Sequence, residues 1–319
     1  MRRKFITAAA LLLPLAAAAC GGGNSNAGNN GSSGASCATA SGSSGNGAHL
    51  SIGSKAFAEE QLLATMTQQV LQAHGFTIDY TFQAKDKAIG QALTGGNIDM
   101  YWQYTGTELT DYLNLTGFPT DPTQAFNYVQ QQDAPHGICW NAPTQFNDTN
   151  GLAIRASDKG TYGSTLTDFG NYLASHPGVK ICILSEFRTR PDGLPGLESK
   201  YNQSYGQASY TDIGSTAEKN IASGQCAAGE VFTTDSAIQA NNLYVLQDDK
   251  NLFPPDNAGL LVRSSVQNQY PAIGALMAPV AAKLDTTTMV SLNAKVEIGN
   301  QKVSDVAHTW LVQNGFLSS

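Results

Sequence analysis

Over residues 49–104, strand-like runs alternate with helix-patterned segments, and this order narrows the chain to layered α/β architectures. HLSIGS (49–54) has the length and pattern of a short strand. Residues 57–74 follow as a helix, with Leu62, Leu63, Met66, Val70 and Leu71 on one face and Gly75 as its stop. TIDYTFQ (77–83) alternates like a strand, KAIGQALTGG makes a short helix, and NIDMYWQY returns to strand. Such an order pairs strands in parallel through right-handed crossovers and covers both sheet faces. Ligands then lie beyond the carboxyl ends of strands. Two turns fall at those ends, Gly53-Ser54-Lys55 and Tyr104-Thr105-Gly106-Thr107.

A second set begins near residue 150. GLAIRA is a strand, LTDFGNYLASH a helix stopped before Pro177, and VKICIL a strand. SKYN belongs to a helix, ASYTDI is a strand and STAEKNIASG a helix; AAGEVF and LYVLQDD are further strands. After Phe253-Pro254-Pro255 come three helical segments, 266–284, 285–298 and 302–314. The sum is two α/β units and a helical tail, without an internal repeat.

The N-terminus reads as targeting. Arg2, Arg3 and Lys4 precede an apolar run, Ala8 to Ala19, too short to span a bilayer permanently. The run ends at Cys20 as in a bacterial lipobox, although Ala17 stands where that pattern usually has Leu. Residues 1–19 are thus expected to be removed and Cys20 to carry lipid. Residues 21–48 are nearly all Gly, Ser, Asn and Ala, so 20–48 form a lipidated, flexible tether. The body from 49 to 319 is long enough for two lobes or one large domain. Lys+Arg number 18 against 25 Asp+Glu, and loss of the three leader bases leaves 15 against 25. A body that acidic, with no basic run, is a poor match for nucleic acid. No C-x-x-C pair exists and the five histidines are scattered, so a zinc site is not expected. An exported chain permits disulfides. Cys182 and Cys226 lie in or beside strands that can neighbour one another, so they bridge or remain two buried thiols.

YWQYTGTELTDYL (101–113) reads as strand end, turn and helix. Thr105 fits an N-cap and Glu108 completes a capping box. Leu109, Tyr112 and Leu113 recur at helical spacing. The free N–H groups at that helix start can bind an anion, and the Tyr104 ring can hold a cation. A core tyrosine beside an ordinary capped helix explains the same letters. Enzyme signatures are missing: there is no G-x-S-x-G, phosphate-cradling loop, H-E-x-x-H or dinucleotide fingerprint.

Four stretches carry a stronger signal in their order: GSKAFAEEQLL (53–63), GGNIDMYWQYTGTEL (95–109), SEFRTRPDGLPGL (185–197) and LQDDKNLFPPDNAGLLV (246–262). They resemble the substrate-binding proteins of ABC importers for glycine betaine, choline and related osmoprotectants. That family's patterns are G-S-K-x-F-T-E-Q, G-x-I-D-x-Y-x-E-Y-T-G-T, E-F-x-x-R-x-D-G and L-x-D-D-K-x-x-F-P-P-Y. The resemblance spans almost the whole body. It implies an α/β, two-lobed periplasmic-binding-protein fold of type II, a Venus flytrap. Lobe 1 would be 49–146 plus 257–319, lobe 2 the inserted 147–256, and the two crossings the hinge. It also implies a small ligand held between the lobes, with tyrosines around a quaternary ammonium and Lys, Arg and Thr on any carboxylate. Partners would be a membrane permease and its ATPase; the protein would act as a monomer outside the cytoplasm, lipid-anchored to the cell membrane, without cofactor or catalysis.

Carried over residue by residue, Lys55 matches the carboxylate-binding lysine, Tyr104 and Thr107 the ring and hydroxyl of Y-T-G-T, and Glu186 with Arg190 the E-F-x-x-R pair. A local salt bridge between the last two is the plainer reading. The cage departs from the family. N-N-T-Y-A at the first crossing reads Asn147-Asp148-Thr149-Asn150-Gly151, Phe232 precedes T-D where tyrosine is common, and F-P-P-Y ends in Asp256. The expected ligand set is therefore Lys55, Tyr104, Thr107, Asp148, Asn150, Glu186, Arg190, Phe232 and Asp256. Each lost ring forfeits roughly 0.5–2 kcal/mol of cation–π attraction. These departures leave open a neutral or hydroxyl-rich solute, aromatic ones included, and a ligand-sensing role.

Overall fold

In a computed structural model, which describes residues 37–38, 45–82, 86–212 and 217–318, the strand-patterned segments gather into two five-stranded sheets. The leader, Cys20 and most of the tether lie outside the described residues. The first sheet holds β1 (His49–Ser54), β2 (Thr77–Phe82), β3 (Met100–Tyr104), β4 (Ile138–Asn141) and β10 (Ala258–Arg263) in the order β2-β1-β3-β10-β4. The second holds β5 (Asn150–Arg155), β6 (Lys180–Ile183), β7 (Ser209–Asp212), β8 (Ala228–Phe232) and β9 (Leu243–Val245) in the order β7-β6-β8-β5-β9.

Parallel pairing, expected for the strands of residues 49–104, is found there and in part of the second sheet. β1 pairs in parallel with β2 and β3, and β6 with β7 and β8. β10 runs antiparallel to β3 and β4, and β5 antiparallel to β8 and β9. These two strands follow the crossings, so they enter their sheets from the other chain direction. Neither β4 nor β10 was anticipated as a strand. AGLLVR in β10 is buried along almost its whole length and has no alternation to reveal it.

The helices cover the sheets. α1 (Ala58–Ala73), α2 (Asp86–Thr94) and α3 (Pro122–Asp133) belong to the first unit; α4 (Leu166–Ser175), α5 (Ala217–Ala222) and α6 (Ser236–Ala240) belong to the second. The tail forms α7 (Ser264–Gln269), α8 (Ala272–Ala281), α9 (Thr286–Glu297) and α10 (Val303–Gln313). The five residues of β3 are all buried because both faces are covered. Met100, Trp102 and Tyr104 join Met66 of α1 and Met277 of α8, whereas Tyr101 joins Ile89, Leu93 and Val129 on the opposite face. In the second sheet Leu152, Ile154 and Ile181 pack on Phe169, Leu173 and Tyr205. Among the described residues, no helix is long and apolar enough to cross a membrane.

Disulfides tie both units. Cys182 on β6 and Cys226, just ahead of β8, are bridged because their strands are neighbours. A second bridge, Cys37–Cys139, had no counterpart in the sequence reading. It corrects the extent of the tether: Cys37 is held on β4, Ala38 N donates to Asn268 Oδ1 at 3.0 Å, and Gly45 N donates to His74 O at 2.8 Å. The chain is thus attached to the body well before residue 48.

α4 opens on a complete capping box. Thr165 Oγ1 accepts from Asp168 N at 3.0 Å, and Asp168 Oδ2 accepts from Thr165 N at 3.1 Å. Thr165→Ala is expected to lose about 1 kcal/mol of stability, read as a lowered thermal midpoint. An unchanged midpoint would show that Asp168, which also accepts from Ser164 N, suffices as the cap.

Candidate functional site

The chain crosses between the sheets twice, after β4 and after β9. The crossings run side by side, with Asp148 N donating to Asp256 O at 3.0 Å and Thr149 Oγ1 to Pro254 O at 2.8 Å. Beside them lies a cleft of about 830 Å³, lined from both sheets and from α9.

The carboxyl ends of β1 and β3 supply one wall. These strands are neighbours, so Lys55, one residue past β1, comes to lie over Tyr104, the last residue of β3. Lys55 Nζ is 4.9 Å from the ring centroid and donates to Gln103 Oε1 at 2.8 Å, with Glu60 Oε1 at 3.7 Å. All four side chains are buried. The cation on the Tyr104 ring is therefore the protein's own. The quoted family patterns carry Gln at position 60 and Glu at position 103; here the acid and the amide have changed places around the same lysine.

The turn after β3 corrects the capping box. The N-cap is Tyr104, not Thr105, and it makes no side-chain cap bond; Thr105–Thr107 continues into a wider π-type turn, Glu108–Tyr112. Thr105 Oγ1 instead donates to Pro255 O at 2.7 Å and accepts from Asn257 N at 3.1 Å, fastening this turn to the second crossing. The free N–H groups do hold an anion, and it is Asp256: Thr107 N donates to Asp256 Oδ1 at 3.0 Å. Gly106 permits this approach, since a Cβ there would lie 2.7 Å from Asp256 Oδ1. Burial pushes the Asp256 carboxyl up to about 7, against the hydrogen bond from Thr107 and the charges of Arg190 and Lys55.

Asp148 is buried and accepts from the Thr234 hydroxyl; burial, then Glu59, holds its carboxyl well above the usual range. Arg190 and Phe232 also line the cleft. Arg190 forks onto the buried Asp192, with Nε to Oδ1 at 3.0 Å and Nη2 to Oδ2 at 2.8 Å. Two expected residues are placed elsewhere. Glu186 is exposed and outside the cleft lining, and in place of the alternative Glu186–Arg190 salt bridge the arginine pairs with Asp192. Asn150 lines a separate cavity of about 310 Å³ between the crossings, where its buried Oδ1 accepts no hydrogen bond from the described protein.

Sequence reasoning missed the groups that close the back of the cleft. Glu59 Oε1 accepts from Tyr104 Oη at 2.7 Å, and its Oε2 accepts from Asn293 Nδ2 at 2.9 Å. Asn293 Nδ2 also donates to Thr234 O at 3.3 Å, and Ser236 Oγ donates to Glu297 Oε2 at 2.8 Å, so α9 is joined to the loop after β8. Burial raises the Glu59 carboxyl. It pushes Asp235 up to about 8, with the Phe232 amide opposing and Glu218 reinforcing. Glu59 had two signals, its place as an acid on the first turn of a helix facing the core and its match to the Glu of G-S-K-x-F-T-E-Q. Asn293 had none.

Residues 48–313 match the family described as the substrate binding domain of ABC-type glycine betaine transport systems. The chain belongs to this family. It is 32% identical over 279 residues to a glycine-betaine-binding protein of Pseudomonas aeruginosa, covering 84% of this chain and 88% of that one. Identity to the glycine betaine-binding protein YehZ of Escherichia coli is 29% over 276 residues, covering 83% and 90%. The solved apo YehZ superimposes with a TM-score of 0.67 at 27% identity, covering 85% of this chain and 99% of that one. The two sheets are thus the cores of the two lobes of a periplasmic-binding-protein fold. As a substrate-binding protein of an ABC importer, the chain works outside the cytoplasm, binds a small ligand and serves a permease; it is not an enzyme.

Proposed function

We propose that this substrate-binding protein captures a small quaternary-ammonium solute of the glycine betaine or choline type between its lobes. The observation that carries this reading is a cleft combining aromatic rings, Phe57, Tyr104 and Phe232, with the buried carboxyls of Glu59, Asp148 and Asp256. Rings and carboxylates both attract a cation that cannot donate a hydrogen bond. Lys55 already covers a face of Tyr104, so the ligand's ammonium is assigned to Phe232 and Asp256. Lys55, Arg190 and Thr107 serve a carboxylate where the solute has one. Lobe 1 is taken as 49–146 plus 257–319 and lobe 2 as 147–256, closing about the paired crossings. Asn150 and Glu186 then shape the hinge and the rim rather than touching the solute.

Cys20 carries the lipid that holds this monomer at the outer face of the cell membrane, for delivery to a permease with its ATPase. Cys20→Ala should move the protein from the membrane to the soluble fraction; retention in the membrane would place the anchor elsewhere. The ligand reading is tested by calorimetry of ligand-stripped protein against glycine betaine, choline, carnitine, proline betaine and hydroxylated aromatics. Saturable binding of a quaternary ammonium is expected. Binding only of an uncharged compound would replace this reading with the hydroxyl-rich alternative.

A further inference from the structure

Resting on the lobe closure proposed above, we infer that the cavity behind the hinge governs solute affinity, because whatever fills it holds the lobes shut. Three segments are laced into one band at the hinge. Asp148 N donates to Asp256 O at 3.0 Å and Thr149 Oγ1 to Pro254 O at 2.8 Å. Thr233 N donates to Thr149 O at 3.0 Å, and Thr233 Oγ1 to Asn147 O at 2.7 Å. Adjacent residues of this band serve opposite faces. Asp148, Thr234 and Asp256 line the solute cleft. Thr149, Thr233 and Pro255, each one residue away, line the cavity of about 310 Å³ behind it. The two linings share no residue.

That rear cavity is a gap between the lobes. Thr120 and Pro122, at the start of α3, form its lobe 1 edge, and Val245 of β9 with Asn251 forms its lobe 2 edge. Thr120, Pro122 and Asn251 are exposed, so the gap is open to solvent. A hydrogen-bonded band bends more readily than it stretches, so lobes turning about it widen one face as they narrow the other. Closing the cleft therefore widens the rear gap. Opening the cleft drives Thr120 and Pro122 towards Val245 and Asn251. A group standing in the gap collides with the open form and leaves the closed form alone. A solute that needs closed lobes binds with its intrinsic affinity scaled by the fraction of protein already closed. Raising that fraction tightens every solute by one common factor, with no residue of the cleft altered.

The test adds bulk at the exposed Thr120 of the full chain, stripped of ligand, in two independent ways. One is Thr120→Trp. The other is Thr120→Cys, studied before and after alkylation with a bulky maleimide, so that the protein folds before the group is added. Thermal midpoints show that each variant is folded. Calorimetry with glycine betaine and with choline should find both solutes tightened by the same factor. That factor is about tenfold if about 10% of the empty parent is closed. Small-angle scattering should find the solute-free Thr120→Trp and alkylated proteins more compact than the solute-free parent, and Thr120→Cys before alkylation should match the parent. Three results would each overturn the inference: affinity at or below the parental value in both bulky proteins, empty bulky proteins no more compact than the parent, or tightening of one solute alone, which reports an altered contact rather than a shifted equilibrium. Should no quaternary ammonium bind the parent, the ligand reading fails, and scattering of the empty proteins still decides this one.

Discussion

Glu60→Gln is expected to destabilise the protein by about 3–5 kcal/mol, the usual consequence of removing one partner of a buried ion pair. Lys55 and Glu60 are both buried, with Nζ and Oε1 3.7 Å apart. The amide keeps the shape of Glu60 and removes its charge, leaving the ammonium without that counter-charge in a low-dielectric wall. Denaturant unfolding should show a lower midpoint with an unchanged slope. Gln103→Glu in the same chain should recover part of the loss, because Gln103 Oε1 already lies 2.8 Å from Nζ. Recovery is incomplete, since Gln103 Nε2 donates to Glu108 at 3.4 Å and a glutamate there would face a second acid. The double variant recreates the arrangement of the family patterns. A Glu60→Gln protein as stable as its parent would show that Lys55 is balanced elsewhere, with Asp256 the next carboxylate to test.

Ligand affinity should rise with pH. Burial holds the Asp256 carboxyl up to about 7 in the empty protein, so it is largely protonated in mild acid. A bound cation favours the ionised form, so binding releases a proton and tightens as the pH climbs through that range. For one group titrating near 7, affinity should increase about thirtyfold between pH 5.5 and 8.5. Calorimetry in buffers of different ionisation enthalpy should report the released proton directly. Asp256→Asn should flatten the profile and weaken binding at pH 8.5; a variant with the parental slope would assign the proton to another acid, such as Asp235. Stability of the empty protein runs in the opposite sense. Carboxyls with raised folded values contribute stability that is complete below their unfolded values and lost as pH rises through the folded ones. For Asp256 and Glu230, each up to about 7, and Asp235, up to about 8, that decline spans about pH 4 to 8.

Local periodicity was enough to place β1, α1, β2 and α2 within a residue or two and β3 within three, because each carries its own apolar pattern and stop. The four ordered motifs were enough for the family, since they sample loops from both lobes. Tertiary structure decided the rest. The direction of β5 and β10 depends on which sheet the chain re-enters after a crossing, and no local pattern encodes that. The Cys37–Cys139 bridge joins residues whose separation of 102 is closed only by folding. Charge balance at the site was equally hidden. In sequence, Tyr104 and the turn after it read as places for a ligand's cation and anion; folded, Lys55 and Asp256 come to those places from other strands and crossings. Asn293 is a polar letter on a tail helix. Only its contacts with Glu59 and Thr234 make it a tie across two lobes.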